Sequence, residues 1–332
     1  MNHLFLASTP FNAIISALIA HSLPSNNRSQ LWLIDQPAET SEFVKALHNW
    51  KNSPFELTEI VTHKARTLHQ KINRKQQLRQ LATRTRQFEV AHIYTGNDRR
   101  VEFQFLMANQ QQHKSVVGHY IDDGTYTYIG RDTHWLKDKV IDATLKKLVY
   151  GRWWCQPETI GTSDWVSHIH VAFPKEIVPA LQKKIIHDLP KGLNSEIFID
   201  LAASCLGHTN TLSEIKTLAI LPHESLRNSA CYHRLIEEVN HSSSTGIKDH
   251  PRNTQPLLDI DEKASKIAAD LPMEIILPIL HPQCRIIGDV STALLTAKWL
   301  RPELNVVAYA DTSTPLSQLM SNLGIQVINA KR

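Results

Sequence analysis

Four short stretches hold the residues best suited to chemistry, and three of them stand directly at the end of a run that reads as a β-strand. Asp122-Asp123-Gly124 follows the apolar run 116–121. Leu221-Pro222-His223-Glu224 closes the run 217–221. His250-Pro251-Arg252 lies in the loop-like stretch 242–257, after a weaker strand at 245–248. Ser291-Thr292 follows 285–290 and opens a helical run. A carboxylate at a strand end can take the proton from an acceptor hydroxyl. His250 can donate a hydrogen bond or a proton to a phosphate oxygen near neutral pH, and Arg252 can add a charge-assisted contact. Ser291 and Thr292 put two hydroxyls beside the amides of a helix start, which makes an anion site. In this order the stretches describe an enzyme that grips a nucleotide phosphate and deprotonates an acceptor.

Each stretch also has a plainer reading. Asp and Gly are turn residues, and Pro251 fixes a turn. Ser or Thr before a helix is an N-cap, a role compatible with phosphate binding. A second His-Pro, His281-Pro282, reads as a loop feature. Trp153-Trp154 reads as packing, and Asp98, at the end of a strand, is also ordinary turn chemistry.

The elements that must position these residues alternate. Runs 3–7, 30–35, 57–61, 90–95 and 115–121 read as strands, and 10–21, 42–50, 63–87 and 101–108 as helices. A second series has strands at 217–221, 245–248, 274–277, 285–288, 305–309 and 325–329, and helices at 231–240, 261–269, 291–299 and 314–323. Such alternation predicts parallel, doubly wound sheets, which bind ligands at the C-terminal strand ends. Thr9, Asn12, Asp98 and Asp122/Asp123 fall there in the first series. The region 134–200 is less regular, with helices expected at 135–150 and 178–188, and reads as the close of the first domain plus a linker. The expected domains are 1–200 and 201–332.

The chain has 332 residues, 42% hydrophobic and 20% charged, with a net charge of +4. That suits two domains with ordinary cores and an anionic substrate, and it argues against disorder. The four cysteines show no zinc spacing, and neither a G-x-G-x-x-G fingerprint nor a P-loop occurs. Dehydrogenases and nucleotide triphosphatases are thereby disfavoured. The N-terminus lacks a signal-peptide pattern, so a cytoplasmic protein is expected, at most peripheral to the inner membrane. Lys64, Arg66, Lys71, Arg74, Lys75, Arg79, Arg84 and Arg86 form a basic, acid-free segment. It reads equally as a solvated helix face and as a contact for anionic lipid or glycolipid. With no aromatics, it does not suggest nucleic acid.

The ordered motifs Asp122-Asp123-Gly124, His250-Pro251 and Ser291-Thr292 resemble those of bacterial sialyltransferases, especially the lipooligosaccharide sialyltransferases of glycosyltransferase family 52 and the related polysialyltransferases. The resemblance extends to 93–95, 150–154 and 271–274. It implies a GT-B-type α/β fold: two Rossmann-like domains with parallel sheets facing a central cleft, the first on the acceptor side and the second binding the nucleotide sugar. It implies inverting transfer of sialic acid from CMP-sialic acid, a co-substrate, to a surface glycan or glycolipid, with no cofactor and no metal; a homodimer is compatible with it. Asp123 is then the base, with Asp122 beside it and Glu224 or His223 as the fallback, because the family's loop Asp is replaced here by His223. His250, Pro251, Arg252, Ser291 and Thr292 hold the CMP phosphate. Thr9, Asn12, Asp98 and His223 are the acceptor and loop candidates. Transfer of another CMP-linked nonulosonate or of Kdo, and a catalytically inactive glycan-binding relative, are the alternatives.

Overall fold

The computed structural model describes all residues except 38–40, 65–67, 113–114, 131–146, 148–150, 152, 191–194, 207–209, 243, 256–263 and 331–332. The chain divides into two compact units. The first comprises Met1–Thr40 and Ser53–Pro190, the second Ser41–Asn52 and Lys191–Arg332.

In the first unit β1 (Asn2–Ala7), β2 (Arg28–Leu33), β3 (Leu57–Ile60), β4 (His92–Thr95), β5 (Val117–Ile121), β6 (His168–Val171) and β7 (Ile185–Asp188) form one sheet. Its order is β3-β2-β1-β4-β5-β6-β7, and every pairing is parallel. Helix α1 (Pro10–Ser22) starts where Thr9 caps it by accepting from the Asn12 amide, and Pro10 supplies a preset φ at the first position. Then come α2 (Glu42–His48), α3 (Leu68–Gln87), α4 (Val101–Gln110) and the short α5 (Thr125–Ile129). Helix α2 belongs to the second unit, where Trp50 just after it packs on Phe198 of α6 (Ser195–Leu206).

The second unit repeats the plan. Strands β8 (Thr217–Ile220), β9 (Thr245–Lys248), β10 (Ser265–Ile267), β11 (Arg285–Gly288), β12 (Asn305–Ala310) and β13 (Gln326–Asn329) lie in the order β10-β9-β8-β11-β12-β13, all parallel. Its helices include α7 (Ala230–His241), α8 (Met273–Ile276), α9 (Thr292–Leu300) and α10 (Pro315–Asn322). Both sheets carry nearly continuous apolar strands such as Leu4–Ala7 and Val306–Ala310, because helices cover both faces of a doubly wound sheet. Each fully buried Leu or Ile there contributes roughly 1.5–3 kcal/mol.

Three expected elements differ. The helix expected over 178–188 is a 3₁₀ turn (Pro179–Lys183) and then β7. Pro179 forces Val178 out of the helical region, and the β-branched pair Ile185-Ile186 suits an edge strand. The helix expected over 261–269 contains β10, which gains a parallel partner in β9; its start lies outside the described residues. The strand expected over 274–277 is α8, since Pro272 occupies the N-cap and a short apolar run fits a buried helix as well as a strand. The helix expected at 135–150 lies, but for Lys147, outside the described residues. No described helix is long and apolar enough to cross a membrane, and all four cysteines are unpaired.

Candidate active site

The first cluster sits at the C-terminal ends of β1, β4 and β5, neighbouring strands whose register aligns Leu6, Thr95 and Tyr120. Asp122 is 1% exposed. Its Oδ1 accepts from the Gly124 amide at 2.8 Å and from Thr127 Oγ1 at 2.9 Å. Its Oδ2 accepts from the Ala172 amide at 3.0 Å and from the Tyr128 hydroxyl. Burial pushes its pKa up against these four donors. Asp122 therefore anchors the turn. Gly124, at φ 80°, continues that turn in a conformation that favours glycine.

Asp123 is turned the other way and is only half-buried. Its Oδ1 accepts from Asn12 Nδ2 at 3.2 Å, and its amide donates to Thr127 Oγ1. Burial raises its carboxyl to about 7; the Asn12 bond and the Arg100 charge oppose the shift, and the Asp122 and Asp98 charges assist it. A carboxylate with that proton affinity is matched to general-base work near neutral pH. Asn12 is 0% exposed and has its amide under the exposed cap residue Thr9. A Cβ on Gly96 would lie 2.1 Å from the Asn12 amide nitrogen, so the glycine after β4 makes room for the residue that holds Asp123. Asp98 is fully buried, and its two oxygens accept from the Gly161 and Ser163 amides at 2.9 and 2.8 Å, pinning that loop.

The second cluster sits at the C-terminal ends of β9, β8 and β11, where Lys248, Ile220 and Gly288 are in register. Strand order reverses between β8 and β11, the place where doubly wound sheets bind ligands. Two loops are tied together there. Glu224 Oε2 accepts from the Thr254 amide at 2.9 Å and its hydroxyl at 3.0 Å, while Asn253 Oδ1 accepts from the Glu224 amide at 2.8 Å. The Thr254 bonds lower the Glu224 carboxyl, so it is held as an anion and is a weaker base than Asp123. The rings of His223 and His250 meet edge-to-face at 5.3 Å. His250 Nδ1 accepts from the Arg252 amide at 3.2 Å, and His223 Nδ1 from the Ser225 amide at 3.2 Å. In each neutral ring the proton is thereby placed on Nε2, which can donate. Burial, then the charges of His223, Arg252 and Lys248, lower the His250 pKa. His281 makes the same bond to the Gln283 amide, so the His-Pro turn alone is no signature; the facing His223 ring distinguishes His250. Pro251 and Arg252 are exposed on this turn.

Ser291 is the N-cap of α9 but makes no side-chain cap bond, and its Oγ is buried with no hydrogen-bond partner among the described residues. Thr292 begins the helix. Asp289, just ahead, has its carboxyl raised by burial, opposed by its bond from the Val290 amide.

Two sets of neighbours were missed in the sequence. Thr127 and Tyr128 anchor Asp122, and their signal was two hydroxyl residues one turn beyond the Asp-Asp-Gly. Asn253 and Thr254 clamp the Glu224 loop, directly after His-Pro-Arg. Among the described residues, no group of three or more His, Cys, Asp or Glu is arranged to hold a metal ion. In the basic segment, Arg74 bonds Glu102, and Arg84 pairs with Glu59 over the Trp32 ring; Lys75, Arg79 and Arg86 are exposed. Arg66 lies outside the described residues.

No family model matches the chain, and no curated protein matches it. Solved structures do. A UDP-GlcNAc 2-epimerase from Neisseria meningitidis, bound to UDP-GlcNAc, is similar over 99% of this chain and 88% of its own, with a TM-score of 0.57 at 13% identity. A second UDP-N-acetylglucosamine 2-epimerase gives 0.55 at 12% identity, over 99% and 83%. A UDP-glucosyltransferase from Polygonum tinctorium gives 0.51 at 8% identity, over 89% and 77%. At such identities the likeness establishes the fold: GT-B type, with two Rossmann-like units.

Proposed function

We propose that this GT-B-type chain is an inverting sialyltransferase, moving sialic acid from CMP-Neu5Ac to a hydroxyl of a surface glycan such as lipooligosaccharide. The observation that carries the reading is the division of labour within Asp122-Asp123: one carboxylate is the buried anchor, and the other is a half-buried group raised to about 7. Asp123 takes the proton of the acceptor hydroxyl as the oxygen attacks the anomeric carbon. The bond to the CMP phosphate breaks, and the charge developing on that phosphate is met by His250 Nε2–H, Arg252, Ser291 Oγ and the α9 start. The motif order of the family-52 sialyltransferases supports this donor. The UDP-sugar enzymes among the structural neighbours support a nucleotide sugar more generally. A homodimer, and a cytoplasmic protein touching anionic lipid through Lys75, Arg79 and Arg86, belong to the same reading.

The epimerase neighbours favour a second reading, turnover of UDP-GlcNAc without an acceptor, because one fold hosts both chemistries. The test is CMP release from CMP-Neu5Ac and conversion of UDP-GlcNAc, followed as UDP release and as epimerised sugar nucleotide by proton NMR, with and without lactose and with EDTA, by wild type and Asp123→Asn. The expected result is CMP release that lactose accelerates, EDTA leaves unchanged, and the substitution lowers by about 10³-fold. Conversion of UDP-GlcNAc by either route, or CMP release untouched by the substitution, would sink the proposal. CMP release only from CMP-Kdo or CMP-pseudaminic acid would replace the donor.

A further inference from the structure

The most unusual chemistry outside the two clusters lies on one face of the first sheet. His3 pairs in register with His92, Tyr94 with His119, His119 with His168, and His170 with His187. Side chains alternate along a strand, so all six imidazoles and Tyr94 share one face across β1, β4, β5, β6 and β7. The rings form a continuous array. Centroids are 4.6 Å apart for His3–His92, 5.1 Å for His92–His119, 4.8 Å for His119–His168 and 4.7 Å for His170–His187. Nitrogens meet directly: His92 Nδ1 and His119 Nε2 at 2.9 Å, His119 Nδ1 and His170 Nε2 at 3.0 Å, and His168 Nδ1 and His187 Nε2 at 2.8 Å.

A nitrogen–nitrogen contact of that length holds one hydrogen. A neutral imidazole has one N–H and one acceptor nitrogen, whereas a charged ring has two donors and no acceptor. Two rings in contact therefore cannot both be charged while the contact lasts. His3 and His119 are also buried, and the other rings half-buried. The charges acting on the five rings with lowered pKa are other imidazoles and the Met1 ammonium, and the Tyr94 hydroxyl touches His3 at 3.0 Å. No carboxylate appears among those charges to compensate an added proton.

We propose that this histidine array is an acid-sensitive switch built into the first unit, which holds its sheet together at neutral pH and opens it on mild acidification while the second unit stays closed. Burial, with repulsion among the rings, lowers His3 to about 4 and His170 to about 3, and also lowers His92, His119 and His168. A group lowered in the fold contributes stability that is complete above the unfolded value, about 6.5, and is lost as pH falls toward the folded value. Each such ring weakens the folding equilibrium up to about tenfold per pH unit within that window. Asp98, Asp122 and Asp123 are raised by burial and act in the opposite sense, so acid lability of this unit cannot come from them. In the second unit, His250 is the described histidine with a lowered pKa.

The experiment is amide hydrogen exchange of the full chain at pH 7.5 and 5.5, corrected for the intrinsic pH dependence of exchange, comparing β4–β6 with β8, β11 and β12. The expected result is an opening constant at least about 30-fold larger at pH 5.5 in β4–β6, against less than about fivefold in the second unit. His119→Phe retains a stacked ring but removes both nitrogen contacts, and should cut the rise several-fold. His170→Gln, at a half-buried position, makes the same test should the first variant not fold. Equal rises in both units, no rise in the first, or a full rise in a folded variant would overturn the proposal.

Discussion

The two units share a parallel strand order, with the sequence of strands reversing at β1–β4 in one and β8–β11 in the other, yet the carboxylates of their motifs, Asp122-Asp123 and Glu224, are shifted in opposite directions. In the first, Asp98 and Asp122 are buried at the strand ends with Asp123 half-buried beside them, and burial drives all three carboxyls upward. In the second, hydrogen bonds from Thr254 lower Glu224, and amide bonds to Nδ1 leave the proton of each neutral His223 and His250 ring on Nε2. Burial raises a carboxyl's proton affinity, as general-base work requires, whereas hydrogen-bond donors in loops and at a helix start favour an anion. The same sheet end thus does different chemistry according to how deeply its side chains are buried.

The comparison is broken most severely at Asp122. Asp122→Ala strands four donors, two of them side-chain hydroxyls, and should cost about 3 kcal/mol or more in the first unit; exchange protection of β5 and β6 measures it. Protection lost equally from β8 and β11 would mean that Asp122 does not act locally. Asn12→Ala is the sharper and smaller test. It removes a bond that lowers the Asp123 pKa, so the base should hold its proton to higher pH. Activity should fall as pH drops through about 7 in wild type, and this limb should move up by about one unit in the variant, about 1.4 kcal/mol. An unmoved limb would detach Asn12 from the base. The smallest stability effect is expected at Ser291. Its Oγ has no cap bond to lose, so Ser291→Ala should change stability by less than about 0.5 kcal/mol, whereas KM for the CMP donor should rise several-fold. A clear loss of stability without a KM change would make the hydroxyl structural.

Much of this was legible in the chain. Alternating strands and helices place every motif at a C-terminal strand end, as 116–121 before Asp122 and 285–288 before Ser291 illustrate. The turn at Asp122-Asp123-Gly124 was legible as well, since an Asp accepting from the amide two residues on and a glycine at positive φ are local features. Where local signals conflicted, the reading failed. Residues 178–188 have helical composition but contain Pro179 and join an edge strand, and 274–277 form a helix turn behind Pro272. Sheet pairing is a property of distant partners, and a short apolar run does not specify it.

Sequence by itself determined the alternation, the motif order and the residue types at the strand ends, because these follow from periodicity and from turn and cap chemistry within a few positions. Tertiary structure alone decided which aspartate is the anchor and which the half-buried carboxyl of raised proton affinity. Thr127, Tyr128 and Ala172 surround one, and Asn12, supplied by another element through the space left at Gly96, holds the other. It alone also brought six scattered histidines into contact, since parallel register aligns residues far apart in the chain, and their mutual repulsion exists only once the sheet has formed.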